Sequence, residues 1–316
     1  MTVTTPADRE VKIGILSAAG VCVCWGLSML YYKAVDHVPP LEVLAHRTVW
    51  SLVFFVILLT IQGRMGELKA ALRDRHTVIS LLIAALLISQ NWFGFIFAIQ
   101  IERAMEASFG YYIFPIVAVI LGAIFYRERL RPVQIVAVLL AVAAVLTLAF
   151  GLGVTPWISL WLATTMGFYG MAKRATKAGP VLSVAVEVLL ISPIALAWLI
   201  AVHGWDVQGL VDRPGGWFGE NWRDTLLLIG SGPLTGGPLI LFAMAARRLT
   251  YATMGLIMYL NPTIQFLVAA IAFGEPVTGW HMIAFPLIWL ALAIYSADAL
   301  ARERSARKRA INAAGP

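Results

Sequence analysis

The hydrophobic positions of the chain form ten long runs, which short polar segments separate. The runs lie at about residues 11–32, 41–62, 78–100, 107–126, 132–150, 155–172, 181–203, 224–246, 251–273 and 280–300. Each contains about 20 mainly apolar residues, which is the length that a helix needs to cross the hydrocarbon core of a bilayer. Because lipid offers no hydrogen-bond partners to a backbone, such runs predict helices. The pattern predicts an all-α polytopic membrane protein with ten transmembrane helices.

Two of these runs share one motif, in which a tyrosine, a proline and a glutamate recur at the same spacing. The matched residues are Tyr112 and Tyr259, Pro115 and Pro262, and Glu128 and Glu275, each pair 147 positions apart. The fourth and ninth predicted helices therefore look like copies of one another. Each copy is an apolar helix with a proline near its middle and an acidic residue at its end.

Weaker matches extend the repeat to other helices, because Trp25 aligns with Tyr169 and Glu42 aligns with Glu187. Five helices in each half is an odd number, so the second half enters the membrane from the opposite side. Many secondary transporters are inverted repeats of this kind, with the substrate site near the midplane between the two repeats. We expect a first five-helix repeat at residues 11–150, a second at 155–300 and a basic cytoplasmic tail at 301–316.

Composition supports the membrane assignment, since 60% of the residues are hydrophobic and only 13% are charged. Soluble domains carry about 25% charged residues. The net charge of +7 does not indicate nucleic-acid binding, because the basic residues lie in short clusters between the apolar runs. Ten spans with the N-terminus inside place 19 of the 24 lysines and arginines on the inner side. This asymmetry predicts that both termini are cytoplasmic. The five outer residues are Lys33, Arg47, Arg103, Arg213 and Arg223.

The two matched prolines are predicted to kink their helices. A proline has no N–H, so the carbonyl four residues earlier, at Tyr111 or Met258, loses its partner. Such a carbonyl is tolerated at membrane depth where it contacts protein or a water-filled cavity. We therefore place a candidate site beside Pro115 and Pro262. The alternative is a kink with a purely structural purpose.

Polar and aromatic residues on the same helices suit an amphipathic or aromatic ligand. Asn261 and Gln265 share one face of the ninth helix, and the matching face of the fourth consists of Tyr111, Phe114, Ala118 and Gly122. In the third helix, the adjacent amides of Gln90 and Asn91 cannot both face lipid without cost. The candidate substrate contacts are Trp25, Asn91, Trp92, Tyr111, Tyr112, Tyr169, Tyr259, Asn261 and Gln265. The alternative role of the polar residues is hydrogen bonding between helices.

The ionisable candidates within the predicted spans are Glu187, His46 and Arg47, because charge is costly there and usually functional. Glu187, about a third of the way along the seventh helix, is the best candidate for binding a coupling proton. His46 and Arg47 lie near the outer end of the second helix. Arg47 could bind a substrate anion, or it could form an ion pair that holds two helices together.

Enzyme signatures are absent from the sequence. The five histidines are scattered, and neither His-Glu-x-x-His nor Gly-x-Ser-x-Gly occurs. Cys22 and Cys24, two positions apart on a helix, point in different directions and do not suit a disulfide or a metal. We expect no cofactor and no metal. A polytopic membrane enzyme that uses Glu187 or His46 and a membrane scaffold that transports nothing remain as alternatives to a transporter.

The chain resembles EamA-type permeases of the RarD kind, in the drug/metabolite transporter superfamily, over residues 12 to 300. In the first half, the residues that carry this resemblance are Trp25-Gly26, Tyr32-Lys33, His46-Arg47, Trp50-Ser51, Asn91-Trp92, Glu106-Ala107-Ser108, Gly110-Tyr111 and Pro115. In the second half they are Phe168-Tyr169-Gly170, Glu187, Pro238-Leu239, Ala245-Ala246-Arg247-Arg248-Leu249 and Asn261-Pro262 through Glu275. Asn261 stands where this kind of permease is expected to have a glycine.

The resemblance implies two inverted five-helix repeats around a central cavity, in a bacterial inner membrane. The family name implies a link to chloramphenicol sensitivity. We therefore expect a secondary transporter of a small organic solute, a metabolite or drug, that works by alternating access, either coupled to protons or as an exchanger. The expected partners are membrane lipid, the solute and protons, but not nucleic acid. A monomer is compatible with the sequence, which does not fix the oligomeric state.

Overall fold

The computed structural model describes residues 6–127, 129–151, 156–174, 176, 178–205, 207 and 213–313. Most of these residues form α-helices, and one short segment is a π-helix. The α-helices are α1 (Pro6–Ala34), α2 (Pro40–Ile61), α3 (Met65–Arg73), α4 (Arg75–Gln100), α5 (Ala104–Phe125), α6 (Pro132–Gly151), α7 (Trp157–Arg174), α8 (Pro180–Trp205), α9 (Trp222–Ala246), α10 (Tyr251–Met258), α11 (Leu260–Leu267) and α12 (Gly279–Ala313). The π-helix is Val268–Ala272 and continues α11.

Within the described ranges, nine helical segments are long and apolar enough to cross a membrane. An all-helical, polytopic membrane protein is thereby confirmed. The predicted span at 155–172 corresponds to α7, which has 18 residues and ends in Lys173 and Arg174. α7 is not among the nine, so the count of ten spans stays a prediction.

A short helix, α3, occupies a segment that the hydropathy pattern treats as a connection. Leu68 is buried against the start of α8, while most of the remaining α3 side chains are exposed or half-buried. Arg64 pairs with Glu67 at 2.8 Å in its first turn. The arginine holds the pKa of the Glu67 carboxyl below its usual range. A helix of nine residues is too short to span a bilayer, so hydropathy alone does not reveal it.

The ninth of the ten predicted spans corresponds to Thr253–Ala272, which is divided at Tyr259 into α10 and α11. It is called the ninth span below. Pro262 has no N–H to offer the carbonyl of Met258, and the helix is interrupted at Tyr259, the residue after Met258. Beyond α11 the Phe273 N–H donates to the carbonyl of Val268, a separation of five residues that marks the π-helix. By contrast, α5 stays one helix through Pro115.

Helices from the first and second halves of the chain pack against each other throughout. α1 lies against α9 and α11, while α7 lies against α4 and α5. α2 lies between α8 and α9, and α6 packs along α12. Glycines permit the closest approaches: a Cβ at Gly26 of α1 would stand 2.6 Å from Ile264 of α11. The core is therefore built mostly from contacts between the halves.

Contacts between the segments that connect the helices define two ends of the bundle. At the first end, where α2 and α5 begin, the amide of Gln100 donates to the carbonyl of Val38 at 2.9 Å. At the second end, where α2 and α5 finish, Arg131 pairs with Asp298 at 3.2 Å. The first end thus gathers the α1–α2 and α4–α5 connections, and the second end gathers the α2–α3 and α5–α6 connections.

Glu275 joins the end of the ninth span to the start of α5, at the first end. Its carboxylate accepts the backbone N–H of Ala104 at 2.6 Å and that of Met105 at 2.8 Å. These N–H groups lie in the first helical turn, where they have no acceptor within the helix and where negative charge is favoured. Burial raises the pKa of the Glu275 carboxyl, and the two N–H donors oppose that rise. The matched residue Glu128 lies outside the described residues.

Candidate functional site

Arg47 lies inside the bundle, where four helices meet. It is only 9% exposed, and its Nε donates to the hydroxyl of Thr235 on α9 at 2.9 Å. The guanidinium carbon lies 4.0 Å from the ring centroid of Trp92 on α4 and 5.7 Å from that of Tyr32 on α1. Arg47 thus lies well inside the protein and contacts aromatic faces.

Asn91 ties three helices together. Its side-chain N–H groups donate to the carbonyl of Leu162 at 2.9 Å and to the hydroxyl of Thr165 at 3.0 Å, both on α7. Its side-chain oxygen accepts the hydroxyl of Tyr111 on α5 at 2.8 Å. The neighbouring amide, Gln90, is exposed. In this conformation the hydrogen bonds of Asn91 are made to protein, as the alternative of interhelical bonding required.

The two helices that carry the matched prolines, α5 and α11, are joined by side-chain hydrogen bonds. Ser108 of α5 donates to the carbonyl of Pro262 on α11 at 2.8 Å, and the hydroxyls of Tyr112 and Thr263 are 2.6 Å apart. Near the break, the Gln265 amide donates to Asn261 at 3.2 Å. The buried side-chain oxygen of Gln265 has no hydrogen-bond partner within the described ranges.

Glu187 forms an ion pair near the second end. Its carboxylate lies 2.5 Å from the ammonium of Lys173 and accepts the hydroxyl of Tyr169 at 3.2 Å. Lys173 also donates to Ser183 at 2.5 Å. The group connects α7 to α8 in a site where Glu187 is 1% exposed. Glu42, its aligned residue, is the third residue of α2, whereas Glu187 is the eighth of α8, so the two carboxylates lie at different depths.

At the first end, Glu42 holds the segment at residues 213–221 over the helices. Its carboxylate accepts the backbone N–H of Gly216 and of Trp217, each at 2.9 Å. In the same segment, Phe218 stacks on His46 with ring centroids 4.8 Å apart. The imidazole Nε2 of His46 is buried and has no hydrogen-bond partner in the part of the chain that the structure describes. The segment therefore packs over the first turns of α2 at the first end.

A cavity of about 420 Å³ lies at the second end. Phe114, Ala118 and Gly122 of the predicted α5 face contribute to its wall. The remaining wall includes Gly167, Gly170 and Arg174 of α7 together with Arg129 and Arg131 of the α5–α6 connection. None of the nine predicted substrate contacts is among its lining residues, so the cavity adjoins the predicted site without containing it.

The structure brings some predicted residues together and separates others. Trp92 and Arg47 are in contact, Asn91 bonds Tyr111, and Tyr112 meets the ninth span. Trp25 instead packs near Phe242, with ring centroids 6.3 Å apart. Tyr259 lies at the helix break, and Tyr169 belongs to the Glu187 group.

Three residues of the candidate site were not predicted from the sequence patterns. Lys173 enters those patterns only as a charge that sets topology, although its place near Tyr169 along one helix face is visible. Thr235 lies in a glycine-rich stretch of α9, and nothing in that stretch announces a bond to Arg47. Tyr32 enters only through the family resemblance. Among the described residues, no group of three or more His, Cys, Asp or Glu side chains could hold a metal ion.

Residues 12–150 match the EamA-like transporter family. The chain is 36% identical to an uncharacterized transporter of Pseudomonas aeruginosa, over 93% of this chain and 96% of that protein. It is 35% identical to Protein RarD of Escherichia coli, over 95% of this chain and 99% of RarD. It is also 28% identical to the Chloramphenicol-sensitive protein RarD of Pseudomonas aeruginosa, over 94% and 99% of the two chains.

A solved crystal structure has the same fold. It aligns with a TM-score of 0.59 at 19% sequence identity and covers 89% of this chain and 96% of the other. At this identity the likeness bears on the fold alone.

We predict that Asn91→Ala lowers the free energy of unfolding by about 2–3 kcal/mol, because it leaves the buried Tyr111 hydroxyl without its acceptor and removes the hydrogen bonds from α4 to Leu162 and Thr165. Chemical unfolding of the purified protein in detergent measures the change. Gln90→Ala is the matched control, since it removes the adjacent, exposed amide and should have almost no effect. Equal stability of the two variants would contradict the stabilising role of the Asn91 hydrogen bonds.

Proposed function

Because this chain belongs to the EamA-like transporter family as a RarD-type permease, we propose that it carries a small organic solute across a bacterial inner membrane as a secondary transporter. Family membership indicates a transporter rather than an enzyme. The structural observation that carries the proposal is the polar and aromatic cluster around Arg47. This cluster lies among α1, α2, α4 and α9, away from lipid, where a solute could be held between the two halves.

The packing supports an inverted repeat of five plus five helices. If α1 is exchanged with α7, α4 with α9, and α5 with α10 and α11, then the contacts of α1 become those of α7. α5 and α10 also begin 147 residues apart, at the offset of the sequence motif. We propose α7 as the tenth span, because it packs against α4 and α5, which are both long enough to cross the membrane.

The distribution of charge supports an inner, cytoplasmic second end. Lys33, Arg103 and Arg213 lie at the first end, whereas most lysines and arginines of the described residues lie at the second. Cytoplasmic segments are enriched in these residues. On this orientation the segment at 213–221 closes the outer side, and the cavity lined by Arg129 and Arg174 is on the cytoplasmic side.

We propose alternating access in which the contact between Glu42 and the segment at 213–221 opens and closes the outer side. Two backbone N–H groups point at one buried carboxylate, and hydrogen bonds to a charged acceptor contribute about 1.5–3 kcal/mol each. A contact of that strength can hold one conformation and still be broken during transport. Rocking of the two halves would then expose Arg47 to either side in turn.

Glu187 is the proposed coupling residue. Protonation of its carboxylate would remove the charge that Lys173 pairs with, so proton binding would alter the contact between α7 and α8. A buried pair that loses one charge is strongly destabilised, by about 3–5 kcal/mol in measured cases. This is enough to shift an equilibrium between two conformations.

The first prediction from the proposed function concerns transport itself. Purified protein in liposomes should take up or exchange at least one member of a panel of aromatic acids, amino acids, phosphate esters and chloramphenicol. Protein-free liposomes give the background. Folded protein that moves no member of the panel would contradict the proposed function.

The second prediction concerns the outer closure. With Cys22 and Cys24 replaced by alanine, a cysteine introduced by Trp50→Cys lies beneath Phe218. Adding Glu42→Ala should speed its labelling by a membrane-impermeant maleimide added outside intact cells, by about tenfold for each 1.4 kcal/mol lost. Glu220→Ala, an exposed change in the same segment, is the control. Unchanged labelling would rule out Glu42 as the closing contact.

The third prediction concerns coupling. Glu187→Gln should abolish the acceleration of transport by a proton gradient, because the amide cannot bind the coupling proton. Adding Lys173→Met removes the stranded cation and tests whether lost stability explains the result. The exposed change Glu67→Gln should leave the gradient dependence intact. Full gradient dependence in Glu187→Gln would show that another group binds the proton.

A further inference from the structure

We propose that the transported solute is a small organic anion with an aromatic body, and that Arg47 binds its carboxylate or phosphate group. This inference rests on the proposed transport function and names the substrate class of the same site. It commits Arg47 to the anion rather than to an ion pair that locks the helices.

The charge of Arg47 has no counterion in the part of the chain that the structure describes. Its polar partner is the neutral hydroxyl of Thr235, and its other close contacts are the faces of Trp92 and Tyr32. The nearest acidic residue along α2, Glu42, lies five positions earlier, on a different face, and accepts two backbone N–H groups of the segment at 213–221. Charged groups in membrane spans normally pair with one another or face a cavity.

The geometry of the guanidinium leaves an edge for an anion. Aromatic contacts use the faces of the planar group, and Thr235 uses Nε. The N–H groups of the two terminal nitrogens are the pair that binds a carboxylate or phosphate through two parallel hydrogen bonds. Trp92 and Thr235 thereby orient the arginine and leave its specific anion-binding edge uncommitted.

Unpaired donors on the same helix provide a second, independent observation. The indole N–H of Trp50 and the hydroxyl of Ser51 are buried and have no hydrogen-bond partner among the described residues, and Ser51 is fully buried. They follow Arg47 by three and four positions, which places them on the same side of α2. Leaving a buried donor unpaired costs about 1–3 kcal/mol. An anion bound beside α2 would offer acceptors to these donors and neutralise the arginine.

The surrounding rings favour a ligand with an aromatic body. Tyr32 meets Phe95 edge to face with centroids 5.9 Å apart, and Phe95 meets Tyr111 in the same way at 5.8 Å. With Trp92, these side chains provide flat apolar walls next to the cation. A carboxylate or phosphate on a ring satisfies both parts of the site, whereas a neutral solute leaves the charge uncompensated.

Binding to purified protein in nanodiscs tests the proposal with matched pairs of probes. The pairs are phenylacetate and phenylacetamide, indole-3-acetate and indole-3-acetamide, and phenyl phosphate and phenol. Isothermal titration should show that at least one anion binds at least about tenfold more tightly than its neutral partner, the ratio expected from one charge-assisted hydrogen bond. Arg47→Gln should reduce its affinity to that of the neutral partner.

Two further variants keep the test decisive. Arg103→Gln is the matched control, because Arg103 also lies over a tryptophan, with 5.7 Å to the Trp157 ring, but at the first end. It should leave anion binding unchanged. Arg47→Lys keeps the charge and loses the planar edge, so it should keep the anion preference at lower affinity. If Arg47→Gln does not fold, the lysine variant decides between the two outcomes.

The proposal is overturned if acids and amides bind equally, if Arg47→Gln keeps the anion preference, if Arg47→Lys loses it, or if no anion of the panel binds. Its failure is distinguishable from failure of the transport function. Anion binding at Arg47 without movement across liposomes would contradict transport and leave the anion site standing. Transport of neutral solutes alone would do the reverse.

Discussion

The absence of water from the hydrocarbon core is the constraint on which the structure depends. Polar groups buried between the helices must find partners within the protein, because an unmet hydrogen bond there costs several kcal/mol. Asn91 meets this requirement by bonding α5 and α7, Glu42 by accepting two backbone N–H groups, and Glu187 by pairing with Lys173. Arg47 meets it only in part, as do His46, Trp50, Ser51 and Gln265, whose buried polar atoms lack a hydrogen-bond partner among the described residues. Incomplete pairing sets these candidate binding groups apart from the groups that fasten the helices.

The same constraint explains how much of the fold could be predicted. Long apolar runs have few structural solutions in lipid, so their positions on the chain give the helices closely. The helix α3 and the division of the ninth span at Tyr259 escaped the pattern. α3 follows a polar turn at the bundle surface, where hydropathy carries little information. The helix is interrupted three residues before Pro262, and Pro115 leaves α5 whole, so a proline alone does not determine where a helix is interrupted.

The candidate site was harder to predict than the fold, for a physical reason. A buried amide or carboxylate has the same sequence signature whether its partner is a ligand or a neighbouring helix. Asn91 is a predicted substrate contact, yet its bonds in this conformation join helices. The sequence marks Lys173 only as a topology signal, and only the fold places its ammonium against Glu187. Long-range pairs such as Arg47 with Thr235 depend on helix packing, which single-sequence patterns do not encode.

The divided ninth span has a mechanical consequence. α5 is one continuous helix from Ala104 to Phe125, so its two ends move together as one rigid element. The stretch that shares its motif is two short helices joined at Tyr259 and followed by a wider π-helical turn, and it bends at that joint at lower cost. Ser108 of α5 donates a hydrogen bond to the carbonyl of Pro262, close to the break at Tyr259. Two stretches that share one sequence motif thus differ in continuity, and the interrupted one is the easier of the two to bend.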